Sequence, residues 1–101
     1  MVTKAAKSGL KPGDITPAEV AAWMMQALDG AYVLHQSVAV SEIMQRFGDE
    51  FAWINENGSM AIKSSVLKAF DAMTGDDVVW ERSGRLWRQR QYYDLPGRQQ
   101  P

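Results

Sequence analysis

Thr16-Pro17-Ala18-Glu19 restricts the folding of this chain more than any other segment, because it sets where a helix begins and which way it faces. A threonine hydroxyl can accept from a free N–H of the first turn. Proline is tolerated at the first helical position, where its missing N–H has no partner to lose. Glutamate three residues after the cap can reach back and close a capping box. Val20, Trp23, Met24, Ala27 and Leu28 then recur at helical spacing and form one apolar stripe. Asp29-Gly30 is the expected stop, with the glycine in a left-handed cap. An amphipathic helix over about 13 residues is marginal by itself, so the rest of the chain must supply a cover for its stripe.

The residues that follow can provide that cover. Tyr32-Val33-Leu34-His35 reads as a short strand. Ser37 is placed to cap a second helix, whose apolar side is Val40, Ile43, Met44 and Phe47 and whose stop is Gly48. Phe51, Trp53 and Ile54 call for burial, and Asn55-Glu56-Asn57-Gly58 is a turn, so an irregular or single-turn segment is expected there. A third helix spans about Lys63 to Met73, burying Val66, Leu67, Phe70 and Met73. Val78–Arg82 and Arg85–Gln89 then flank Ser83-Gly84 as a β-hairpin. A two-residue turn sets Trp80 opposite Trp87, Val79 opposite Arg88 and Asp77 opposite Arg90. A three-residue turn with a bulge at Gly84 would set Trp80 opposite Leu86 instead. The first register is preferred. The end, YYDLPGRQQP, reads as a turn-rich extension around Pro96-Gly97.

The resulting fold class is α+β and winged-helix-like: three helices with a small antiparallel sheet that ends in a β-hairpin wing. Residues 1–14 are expected to be a flexible arm, 15–91 the domain and 92–101 a C-terminal extension. The link between the second and third helices is the main departure, being much longer than the turn of a tight helix-turn-helix.

Composition removes several function classes. With 101 residues and 46% hydrophobic content the chain has enough apolar material for one core. It contains no cysteine, which excludes disulfides, thiolate metal sites and thiol nucleophiles and fits a cytoplasmic setting. No run is long and apolar enough to span a membrane. The net charge of −1 speaks against strong non-specific affinity for nucleic acid. The charge is unevenly placed, however. Residues 1–61 hold four basic and seven acidic side chains, whereas residues 62–101 hold seven basic and five acidic ones.

Several stretches carry a resemblance: TPAEVAAWM, FGDEFAWINENGSMAI, VLKAFDAMT, DDVVWERSGRLWRQR and YDLPGRQQ. Together they resemble a family of short uncharacterised bacterial proteins, over about residues 15 to 100. The aromatic and glycine spacing is what makes the likeness specific. It implies a compact domain and carries over no activity and no catalytic residues.

Candidate chemistry is sparse. His35 is the single histidine and has no partner pattern of a catalytic or metal-binding kind. Asp49-Glu50 and Asp76-Asp77 are acidic pairs near element ends, suited to capping or solvation, and neither sits in a calcium-binding loop pattern. No nucleophile elbow, phosphate loop or zinc motif is present. A non-enzymatic protein without cofactor or metal is therefore expected.

Two binding readings remain. In a winged helix that binds DNA, the third helix enters the major groove and the wing touches the backbone. Lys63, Ser64, Ser65 and Lys68 on the third helix and Arg82, Arg85, Arg88 and Arg90 on the wing are the candidate contacts. Asp71, Asp77 and Glu81 oppose that reading. The alternative is a module that binds another protein or a second copy of itself as a homodimer. Four tryptophans and an aromatic tail motivate it, and Trp87, Tyr92 and Tyr93 are the interface candidates. The DNA reading is the more specific and is slightly preferred.

Overall fold

The structure, a computed structural model, describes residues 15–101. The expected arm, residues 1–14, lies outside the described residues.

Helix α1 (Pro17–Ala31) starts as its sequence dictates. The Glu19 N–H donates to Thr16 Oγ1 and the Thr16 N–H donates to Glu19 Oε1, each at 3.2 Å. Val20, Ala21, Met24 and Leu28 are buried. The stop differs from expectation. The helix runs through Gly30, and the left-handed position falls on Tyr32, at φ 67°. Tertiary pairing overrides the local signal. Strand β1 (Val33–His35) begins at once and must set Leu34 opposite Trp87 of β5 (Leu86–Gln89). The chain therefore turns where the strand needs it, and Tyr32 becomes a cap rather than a strand residue.

Helix α2 (Gln36–Phe47) is capped at His35 without a side-chain bond, and Ser37 lies inside it. The Gln36 N–H, one of those the first turn leaves open, donates to the Arg85 carbonyl at 2.9 Å, so the residue before β5 supplies one of the acceptors this helix start needs.

The link to the third helix is a second hairpin, not an irregular segment. β2 (Ala52–Ile54) and β3 (Met60–Ile62) pair antiparallel, with Ala52 opposite Ile62, Trp53 opposite Ala61 and Ile54 opposite Met60. The Asn55–Gly58 turn is as expected, closed by the Gly58 N–H to the Asn55 carbonyl at 2.9 Å with Gly58 at φ 84°. Phe51, Ala52 and Ile62 are buried, but Trp53 and Ile54 are exposed. Ile54 and Met60 lie on the Ala52–Ile62 face, one step further along the strands, where the hairpin passes the edge of the core.

Helix α3 (Ser64–Thr74) buries Val66, Phe70 and Thr74, while Met73, expected inside, is exposed. Its main helical partner is α1. A single 3-10 turn, Gly75–Asp77, leads into β4 (Val78–Glu81). The β4–β5 register is the preferred one: Trp80 faces Trp87 and Val79 faces Arg88. The Arg90 N–H donates to the Asp77 carbonyl at 2.8 Å, which extends it. Trp87 packs against Trp80 with ring centres 4.6 Å apart and planes tilted by 55°, and it meets Phe70 of α3 edge-on at 5.7 Å, which seals sheet to helix.

The sheet is mixed rather than antiparallel. Its order is β1-β5-β4-β6, and β6 (Gln99–Gln100) runs parallel to β4. After β5 the tail reverses near Gly97, at φ 90°, and returns on the far side of β4. Trp80, Arg82 and Ser83 donate backbone N–H groups to Arg98, Gln100 and Pro101 carbonyls. The class is thus α+β, with three helices and a small mixed sheet.

Candidate functional site

The wing arginines fall into two pairs with different fates. Arg82 and Arg85 lie at the exposed tip of the β4–β5 hairpin, and neither side chain has a hydrogen bond or ion pair among the described residues. Arg88 and Arg90 project from β5 and just beyond it, where the tail crosses over them. Arg88 grips Asp94 with both terminal nitrogens, at 2.8 and 2.9 Å, and Glu81 through Nε at 2.9 Å. Its side chain is only 17% exposed. Those hydrogen bonds hold the Arg88 guanidinium protonated well beyond the usual arginine range. They also pull the Asp94 carboxyl down to about 2, helped by the Gln91 N–H. Arg90 turns its guanidinium onto the carbonyls of Asp76, Leu95 and Gly97. Both arginines are therefore fasteners for the tail.

The third-helix candidates are also divided. Lys63 is the residue before α3. It sits 3.9 Å from Glu50 and 5.7 Å from the centre of the Phe51 ring. Ser64 is exposed, and the Ser65 hydroxyl is buried without a partner among the described residues. Lys68 is exposed and unpaired among the described residues. Among the described candidates the free cations are thus Lys68 on a helix and Arg82 and Arg85 on a turn. Arg88 and Arg90, which would have joined them along the wing, are committed elsewhere.

The aromatic candidates separate as well. Trp87 is 6% exposed and belongs to the core, so it offers no surface. Tyr92 and Tyr93 are 98% and 65% exposed and meet edge-on at 5.5 Å. Tyr32, not singled out in the sequence, joins them. It is exposed, and it shares a small groove with Val33, Arg88 and Tyr93. The Arg88 guanidinium lies 6.0 Å from the Tyr93 ring centre, so the fastener of the tail also props one of its tyrosines.

Beside this group lies a groove of about 580 Å³. The last turns of α1 contribute Met25, Leu28 and Asp29. The start of β4 and the turn before it contribute Asp77 and Val78, and the tail contributes Tyr92. A second, polar cleft lies between the two hairpin tips, lined by His35, Ser37, Asn57, Met60 and Arg85. No group of three metal-ligating side chains occurs among the described residues. No helix among them is long and apolar enough to cross a membrane.

Sequence reasoning missed Asp94, Arg98 and Gln100. Arg98 donates to the carbonyls of Asp71, Gly75 and Val78 and to Thr74 Oγ1. The buried Gln100 side chain bonds the Leu95 N–H and the Leu95 and Gly97 carbonyls. All three lie in the YDLPGRQQ stretch, where charged residues around a Pro-Gly turn were the available signal.

Residues 16–89 match a family of unknown function (DUF6953). No curated protein and no solved structure matches the chain.

Proposed function

The chain belongs to the DUF6953 family of unknown function, and we propose that it is a protein-binding module on a winged-helix-like layout, docking through the end that carries Tyr32, Tyr92 and Tyr93. The carrying observation is the exposure of these three tyrosines in one neighbourhood, at 74%, 98% and 65%. Tyrosine brings a large, stiff apolar ring and a polar tip to a surface. That combination is enriched at protein interfaces and rarely left in water as a group. Tyr32 is also held outward by a left-handed backbone, a conformation that costs a residue with a Cβ roughly 1–2 kcal/mol.

The layout is supported by the order of elements and by the antiparallel run β1-β5-β4, in which β4 and β5 form a hairpin. A β2–β3 hairpin stands where a tight helix-turn-helix would have its turn. The DNA reading draws less support from the same layout. Phosphate binding needs several free cations along one face, and Arg88 and Arg90 are spent on Asp94, Glu81 and backbone carbonyls.

The test compares three forms of the chain by crosslinking in extracts of its own source. One is native, one carries Tyr92→Ser with Tyr93→Ser, and one carries Arg82→Ala with Arg85→Ala. The expected result is a specific protein adduct with the native and arginine variants that disappears with the tyrosine variant. Duplex DNA is titrated in parallel across a salt series. DNA binding that falls steeply with salt and is lost with the arginine variant overturns the proposal.

A further inference from the structure

The groove beside Tyr92 combines a limited apolar surface with a surplus of negative charge, two carboxylates against the single guanidinium of Arg90. Met25 is part-exposed in it, with Leu28 and Val78 buried beneath, while Asp29 and Asp77 are exposed along it. Neither carboxylate has a hydrogen bond or ion pair among the described residues. Asp29 also sits in the last turn of α1, and that turn holds no basic residue. The carboxyl end of a helix carries roughly half a negative charge, which normally draws a Lys or Arg and repels an Asp. Here the dipole and the acid reinforce one another. Arg90 also borders the groove, but its guanidinium hydrogens are directed at the carbonyls of Asp76, Leu95 and Gly97. One committed guanidinium faces two carboxylates and a helix end.

Such a place suits one kind of side chain. A lysine or arginine lays a long methylene stem on apolar surface and keeps its charged head among acids. The exposed Tyr92 ring adds a face to which a cation is drawn. We propose that this groove receives a Lys- or Arg-bearing peptide segment of the partner protein, with the stem on Met25 and the Tyr92 ring and the head at Asp29 and Asp77. The proposal rests on the protein-binding reading above and names the chemistry of its partner. It also gives the acidic surplus at this end a role that solvation alone would not require.

A fluorescent peptide of alternating leucine and lysine is the probe, read by polarisation against the full chain. Peptides with glutamate or acetyl-lysine in place of lysine are the controls. The expected result is saturable binding of the lysine peptide alone, weakening as salt screens the charges. Asp29→Asn with Asp77→Asn should weaken it by roughly tenfold, equivalent to about 1.4 kcal/mol. Tyr92→Ser should weaken it as well. Asp49→Asn with Glu56→Gln removes the same charge away from the groove and should leave binding unchanged. Amide shifts on titration should centre on Leu28, Asp29 and Val78. Equal binding by the acetylated peptide, equal loss in both double variants, or no binding overturns the groove assignment. If the tyrosine-dependent protein adduct survives that outcome, the module reading stands and only the partner chemistry falls. If the adduct is also missing, both fall.

Discussion

Arg88 and Arg90 stand two residues apart, and the tail makes internal fasteners of both. A run of arginines in a predicted wing reads naturally as a phosphate-binding strip. Whether it is one depends on where the partners of each guanidinium lie, and Asp94 and the Leu95 and Gly97 carbonyls are further along the chain. The Arg88–Asp94 pair makes a testable statement about acid. Asp94 titrates lower in the folded chain, at about 2, than its ordinary value of 3.8. The stabilisation it supplies is therefore whole above that ordinary value. It fades as pH falls from there through the folded-state value. Asp94→Asn should lower stability by a constant amount near neutral pH. The gap to the native chain should close between about pH 4 and pH 2. Urea unfolding at a series of pH values measures this, and a gap that persists unchanged at pH 2 contradicts it.

At the scale of elements, the two helix starts give a contrast. Thr16 caps α1 through a reciprocal box, whereas Ser37 lies inside α2, whose first free N–H is satisfied by the Arg85 carbonyl. Thr16→Ala should therefore cost about 1 kcal/mol. Ser37→Ala should fall within about 0.5 kcal/mol of neutral. Chemical denaturation of both variants checks the pair, and equal losses would mean that the serine does cap. The same contrast shows what was legible in the sequence. Helix α1 and the Trp80–Trp87 register rest on signals between near neighbours: a cap, a stripe, a facing aromatic pair. The β2–β3 hairpin rests on three-residue strands, too short for an alternating pattern to declare itself, and one of its faces runs past the core. The stop of α1 moved from Gly30 to Tyr32 because β1 must meet β5, a constraint carried by residues more than fifty positions away. The groove was invisible for the same reason. It exists only where the end of α1, the turn before β4 and the tail come together.

For the molecule as a whole, the question is whether the tail is an appendage or part of the cooperative unit. Arg98 decides it. Its guanidinium reaches across twenty or more residues to the carbonyls of Asp71, Gly75 and Val78, and it lies 3.5 Å from the Asp71 carboxylate. Those carbonyls belong to the last turn of α3, the 3-10 turn after it and the start of β4. A cation there satisfies groups a helix end leaves open and complements its dipole. Meanwhile β6 lengthens the sheet, and Val79, on the face opposite Trp80 and Trp87, is fully buried. The tail thus joins α3 to the sheet at two points. Arg98→Ala removes one of them and takes a donor from the Gly75 and Val78 carbonyls, while the Asp71 carbonyl keeps the Gly75 N–H, a loss of about 1–3 kcal/mol. For a chain of this size each kcal/mol lowers Tm by roughly 4–8 °C. The decisive feature is cooperativity. Helix content by circular dichroism and the near-ultraviolet dichroism and fluorescence of the four tryptophans should shift to the same lower midpoint, because one guanidinium ties both layers. A variant whose two midpoints stay at the native value, with changes confined to the amides of residues 91–101, would mean that the tail hangs on a domain that is complete without it. Joint movement would mean that the surface bearing Tyr92 and Tyr93 is anchored to the core, and so already shaped before any partner arrives.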